Sequence, residues 1–170
     1  DVGETAEGAH LMPASRGQDP SETSLKTLLD YYEEEIEGEA YFEGLAARLA
    51  ARHATDEEVQ VLRSMVDDDR AYVDDPSALA RANRRFHKQI HLASHNRFLV
   101  QQLDLVHRSM ALMATTSLAA EGRGEIALAE HQAIVDAIAA RDEDAAFQAL
   151  RDHISVAFVT RLKLDSQSTD

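Results

Sequence analysis

Apolar residues in this chain return every three or four positions in long runs, and no segment alternates with a period of two between hairpin turns. That period keeps one face of a helix apolar and scatters side chains over both faces of a strand. Leu25, Leu29, Tyr32, Ile36, Phe42, Leu45 and Leu49 mark a first helix, from Thr23 to about Arg52. Gly38 and Gly44 interrupt it, as a bend or a close approach of another helix would require. Thr55 with Glu58 three residues later forms a capping box that starts a second helix running to about Tyr72. Asp74, Asp75 and Pro76 break it. A third spans Ser77 to His95, and Asn96 caps a fourth that carries Leu99, Leu103, Val106, Met110 and Met113. After the punctuation of Gly122 and Gly124, a fifth helix (Glu125 to Ala140) holds Ile126, Ile134, Val135 and Ile138. A sixth, from about Asp142, holds Phe147, Leu150, Val156, Ala157 and Leu164. With short connectors, each stripe can be buried only against the other helices, so the expected fold is an all-α antiparallel bundle.

A chain of 170 residues fits one domain with one core. Residues 1–22 are unpatterned and read as a flexible leader or linker remnant, too short for a winged helix; residues 23–165 form the helical domain, and 166–170 a fraying tail. Lysine and arginine total 17 against 31 acidic residues, a formal charge of -14 that opposes binding to a phosphate backbone. The absence of cysteine excludes disulfides, thiolate metal sites and thiol nucleophiles. The apolar runs fall short of a bilayer span and the start lacks a secretory pattern, so a soluble, cytoplasmic protein without a membrane partner is expected.

Chemistry concentrates in eight histidines. His131 lies one turn before both Ile134 and Val135, and His153 shares its face with Leu150 and Ala157, so both rings point into apolar stripes. Burying an imidazole without a partner costs a few kcal/mol, so each needs a hydrogen bond or a metal. His87 follows Asn83 by four residues, which stacks an amide oxygen and an imidazole beside the face of Leu79, Phe86 and Ile90. Three imidazoles and one oxygen donor suit zinc, nickel or iron better than calcium. Core histidines satisfied by carboxylates or serines are the competing reading, and His87 with His91 the rival grouping. His91 and His95 rotate progressively away from the apolar face. His95 reads as a helix-end residue, and His91 and His107 as pocket-lining candidates.

Seven carboxylates between Asp30 and Glu43, among them Glu39 and Glu43, read as a solvated helix face. Glu130 and Asp152 precede His131 and His153 directly, but neighbours on a helix diverge by about 100°, which places both outside the site. H-E-x-x-H, glycine-rich phosphate loops and G-x-S-x-G elbows are absent.

The stretches FEGLAARLAARHATDEE (42–58), NRRFHKQIHLASHNRFL (83–99) and EHQAIVDAIAARDEDAAFQALRDHI (130–154) resemble the ligand-sensing C-terminal (FCD) domain of GntR-type regulators of the FadR class, from about Leu28 to Arg161. The resemblance implies a bundle of six or seven helices, a homodimer, and a divalent metal held by Asn83, His87, His131 and His153. Zinc is foremost, with nickel, iron or manganese as alternatives. It implies a metal that is no catalyst but receives a small carboxylate effector, whose binding alters how paired domains hold DNA-binding partners. DNA would be met only through an N-terminal winged helix-turn-helix domain absent from this chain. Where the family has an arginine, four residues before the glutamate matching Glu43, this chain has Glu39. Asn83 in place of an aspartate leaves the ion's charge uncompensated and favours an anionic ligand. A small metal-dependent enzyme acting on a carboxylate, and a protein-interaction bundle, are the alternatives.

Overall fold

The computed structural model describes residues 25–110 and 116–167, and these form helices joined by short turns with no strand among them. The order is α1 (Leu25–His53), α2 (Asp56–Asp69), a 3-10 turn (Arg70–Tyr72), α3 (Pro76–Ala93), α4 (Arg97–Met110), a 3-10 turn (Ser117–Ala119), α5 (Arg123–Ala139) and α6 (Glu143–Gln167). The stretch 1–22, residues 168–170, His10 and Met113 lie outside the described residues, as do the side chains of Leu25, Leu29, Tyr32 and Met110. The first two residues of the expected tail continue α6.

The boundaries follow local chemistry. Thr55 accepts from the Glu58 amide while Glu58 accepts from that of Thr55, the reciprocal box that opens α2. Asp75 caps α3 through the Ala78 amide, with Pro76 in the first turn, where a missing N–H costs nothing. Asn96 accepts from the amides of Phe98 and Leu99 and so starts α4. Gly122 opens α5 at φ 70, a left-handed conformation that favours glycine.

The stripe on α1 is rotated from its expected position. Phe42 is exposed and Leu45 and Leu49 are half-buried, whereas Ala40, Glu43, Ala46, Ala47, Ala50 and Ala51 are buried. Small side chains let α6 pack closely: a Cβ on Gly44 would stand 2.8 Å from the Phe147 carbonyl oxygen, so this glycine marks a close approach and not a bend. Ile126 and Val156, expected in the core, are also exposed.

Two apolar bodies result. The larger contains Phe86, Ile90, Leu103, Ile134, Ile138 and Leu150; the smaller contains Leu79, Leu118, Ala127 and Leu128. Along α3, Asn83 stands between Leu79 and Phe86, and along α5, His131 stands between Leu128 and Ile134. The polar residues of the site therefore occupy the level where the two bodies meet.

Candidate metal centre and ligand cavity

His87 on α3, His131 on α5 and His153 on α6 are all buried, and one nitrogen of each lies within 4.8 Å of the others. The helical stripes that bury Phe86, Ile134 and Leu150 carry these rings inward. His131 stacks on Phe86, with ring centroids 4.2 Å apart.

Each of two rings is fixed by a carboxylate. His153 Nδ1 donates to Glu130 Oε2 at 2.6 Å, and the same oxygen accepts from Arg123 Nη2 at 2.7 Å. His87 Nδ1 donates to Glu43 Oε2 at 3.2 Å. A carboxylate can only accept, so the proton sits on Nδ1 in both rings and the Nε2 lone pair stays free. His87 Nε2 and both nitrogens of His131 are buried without a hydrogen-bond partner among the described residues. Burial, reinforced by the charges of His153, His87 and Arg123, holds His131 well below the usual imidazole range. Burial also lowers His153 against the opposing pull of Glu130. Neutral imidazoles with free lone pairs are what a metal needs, and carboxylate-anchored rings are how proteins aim them. This cluster is chemically able to coordinate a divalent metal.

Glu43 organises a second cluster. It is fully buried, and it accepts from His91 Nε2 at 3.0 Å and from His107 Nε2 at 2.6 Å, in addition to His87. Burial alone pushes its carboxyl up, but the bonds from His107, His87 and His91 outweigh that and hold it well below the usual carboxylate range. For His107 the balance also favours the charged form: burial lowers it, and the bond and charge of Glu43, with the charges of Glu39 and Asp104, raise it further. Glu43, His87 and His91 are also close enough to share an ion, but the nitrogens facing Glu43 are already spent on hydrogen bonds.

Beside the histidines lies a cavity of about 730 Å³. Asn83, His87, His107 and His153 line it; His131 does not reach it and closes the triad from the core side. Its remaining charged lining is mostly cationic, Arg81, Arg84, Arg123 and Arg161 against the carboxylate of Glu39. Burial and the neighbouring charge of Glu43 raise Glu39 to about 7, against the pull of His107 and Arg161.

Three expectations are corrected here. Glu43 is not on a solvated face, and Glu130 is not outside the site: both hold histidines of the cluster. His91 is fully buried behind Glu43 and does not line the cavity, whereas His107 does. Asp152, by contrast, is exposed and bonds Gln148, and His95 is an exposed residue bonded to Glu58. The two carboxylates bonded to rings of the triad, Glu43 and Glu130, are committed to imidazole N–H groups.

Residues 39–156 match the FCD domain, and the chain belongs to that family, the effector-binding class of GntR-type transcription regulators. The FCD domain is a regulatory, non-catalytic module, and regulators of this family bind DNA through a separate N-terminal domain. Over 122 residues the chain is 30% identical to the HTH-type transcriptional repressor NanR of Escherichia coli K12, covering 71% of this chain and 46% of that protein. The NanR of Cronobacter sakazakii gives the same identity over 71% of this chain and 47% of its own length. The chain thus spans about half the length of these curated relatives. Among solved structures, Escherichia coli McbR/YncC superposes with a TM-score of 0.67 at 14% identity, over 82% of this chain and 69% of the other. Streptococcus agalactiae GntR superposes at 0.61 with 26% identity, over 84% and 66%. No helix among the described residues is long and apolar enough to cross a membrane.

Proposed function

We propose that this domain is the sensor of a bacterial transcription regulator, in which a divalent metal, zinc foremost, receives a small carboxylate effector. His87, His131 and His153 hold the ion, with the Asn83 amide as a fourth protein ligand. The observation that carries this reading is the group of nitrogens on His87 and His131 that have no partner among the described residues, beside His153 and against a cavity lined by four arginines. Three neutral imidazoles and an amide leave the ion's charge uncompensated, and a position toward the cavity would take an anionic oxygen. The naming of the relatives as transcriptional repressors supports the regulatory role.

The domain acts as a homodimer in the cell, coupled to a DNA-binding partner domain. The effector regulates only by binding one arrangement of the paired domains more tightly than another. Elemental analysis and native mass spectrometry of untagged protein, purified without chelator, test the proposal. The expected result is near one metal per chain with a small acid adduct, both lost in His87→Ala and His153→Ala. Folded, metal-free protein that cannot be reconstituted would overturn it.

A further inference from the structure

We infer that Arg123 is the residue that reads the effector's acid group, from the cavity wall beside the metal centre. The inference rests on the metal-and-carboxylate reading above and adds a specificity-determining residue to it.

Arg123 is the first residue of α5 and lines the cavity, yet only 4% of its surface is exposed. An arginine at a helix start is usually solvated, and water supplies whatever its donors lack. Here bulk water is excluded. Nη2 is bonded to Glu130, while Nε and Nη1 have no hydrogen-bond partner among the described residues. Buried donors of a permanent cation left unmatched are costly, and an acceptor entering the cavity would remove that cost. The two donors lie on different edges of the guanidinium, which share the Nη2 already bonded to Glu130, so an incoming acid oxygen can be met by either of them as a charge-assisted hydrogen bond.

Its position ties it to the metal centre. One oxygen, Glu130 Oε2, accepts from both Arg123 Nη2 and His153 Nδ1, so a single hydrogen-bonded carboxylate separates the guanidinium from a ring of the triad. Arg123 and His153 also line the same cavity. Local structure holds the arginine there: Gly124 lets α5 begin hard against α3 and the preceding turn, since a Cβ would stand 3.0 Å from the Val73 carbonyl oxygen and 3.1 Å from Leu79. The chain as a whole carries a charge of -14, and the four arginines lining this cavity are a local concentration of positive charge within it.

The test is calorimetric titration of the zinc-loaded chain with acetate, lactate and succinate, and with acetamide as the neutral counterpart. Wild type should bind at least one acid and not acetamide. Arg123→Gln should weaken that acid about tenfold or more while zinc content and the far-UV spectrum stay unchanged. Arg123→Lys keeps a charge beside Glu130 but loses the fork, and should give an intermediate loss. Equal acid affinity in wild type and both variants would overturn the role of Arg123 and leave the metal-and-carboxylate reading standing. Loss of zinc in the variants, with acid affinity unchanged in the fraction still loaded, would assign Arg123 to supporting His153 only and would also overturn it. No acid binding to zinc-loaded wild type would overturn both readings.

Discussion

The two sides of His87 face clusters of similar composition and opposite chemistry. Toward α1, Glu43 gathers N–H bonds from His87, His91 and His107, and its carboxylate is fully engaged. Toward α5 and α6, His87 meets His131 and His153, and three nitrogens there have no hydrogen-bond partner among the described residues. Histidine count and burial do not separate these sides; the bookkeeping of lone pairs does. The α1 side is a network gathered on Glu43 that aims a ring and leaves one buried nitrogen, His91 Nδ1, without a partner among the described residues; the other side, with three such nitrogens, is where the proposed ion would be held.

Replacing His131 breaks the comparison most severely. His131→Leu should lower zinc affinity by more than about 100-fold, beyond the usual effect of losing a residue that only supports a ligand. Because the leucine also removes two unpartnered buried nitrogens, the metal-free protein should gain about 1–3 kcal/mol in urea unfolding. A ring retained only for packing would predict neither. Glu43→Gln tests the α1 side: an amide cannot accept from three N–H groups, so zinc affinity should fall about 10- to 100-fold through a misaimed His87, with about 2 kcal/mol of stability lost. Gly44→Ala sharpens the role of α1 as a fixed wall. Its methyl group would meet the backbone of α6, costing about 1–3 kcal/mol by thermal unfolding and leaving zinc stoichiometry unchanged.

The smallest expected effect concerns Glu39. Its folded pKa of about 7 exceeds the ordinary 4.5, so the folded domain holds a proton that the unfolded chain has already released. Stability from this group therefore falls as pH rises through that window, and the full penalty applies above it. Glu39→Gln removes the penalty: it should raise Tm by about 2–4 °C near pH 8 and change it little near pH 5.

The helices were legible because caps and breakers are local: Thr55, Glu58, Asp75, Pro76 and Asn96 act within a few residues of where they stand. The inward rings of His87, His131 and His153 were legible too, since large apolar neighbours define the direction of their stripes. Glu43 was missed because on α1 the large residues mislead. Phe42, Leu45 and Leu49 suggest one face, but the buried one is drawn by Ala40, Ala47, Ala50 and Ala54, whose three- and four-residue steps include position 43. An alanine-weighted wheel would have found it. Glu130 was missed for another reason: its partner lies on α6, and a wheel of α5 reports nothing about what a neighbouring helix presents to a long side chain.

Zinc titration of the metal-free chain, comparing wild type with His131→Leu and His91→Ala, decides which cluster takes the ion. The two clusters share His87, so only the variants that split them can tell which one holds the ion. The account predicts one equivalent of zinc in wild type, no tight binding in His131→Leu and one equivalent retained in His91→Ala. Binding that survives in His131→Leu and disappears in His91→Ala would place the ion at Glu43 and contradict it.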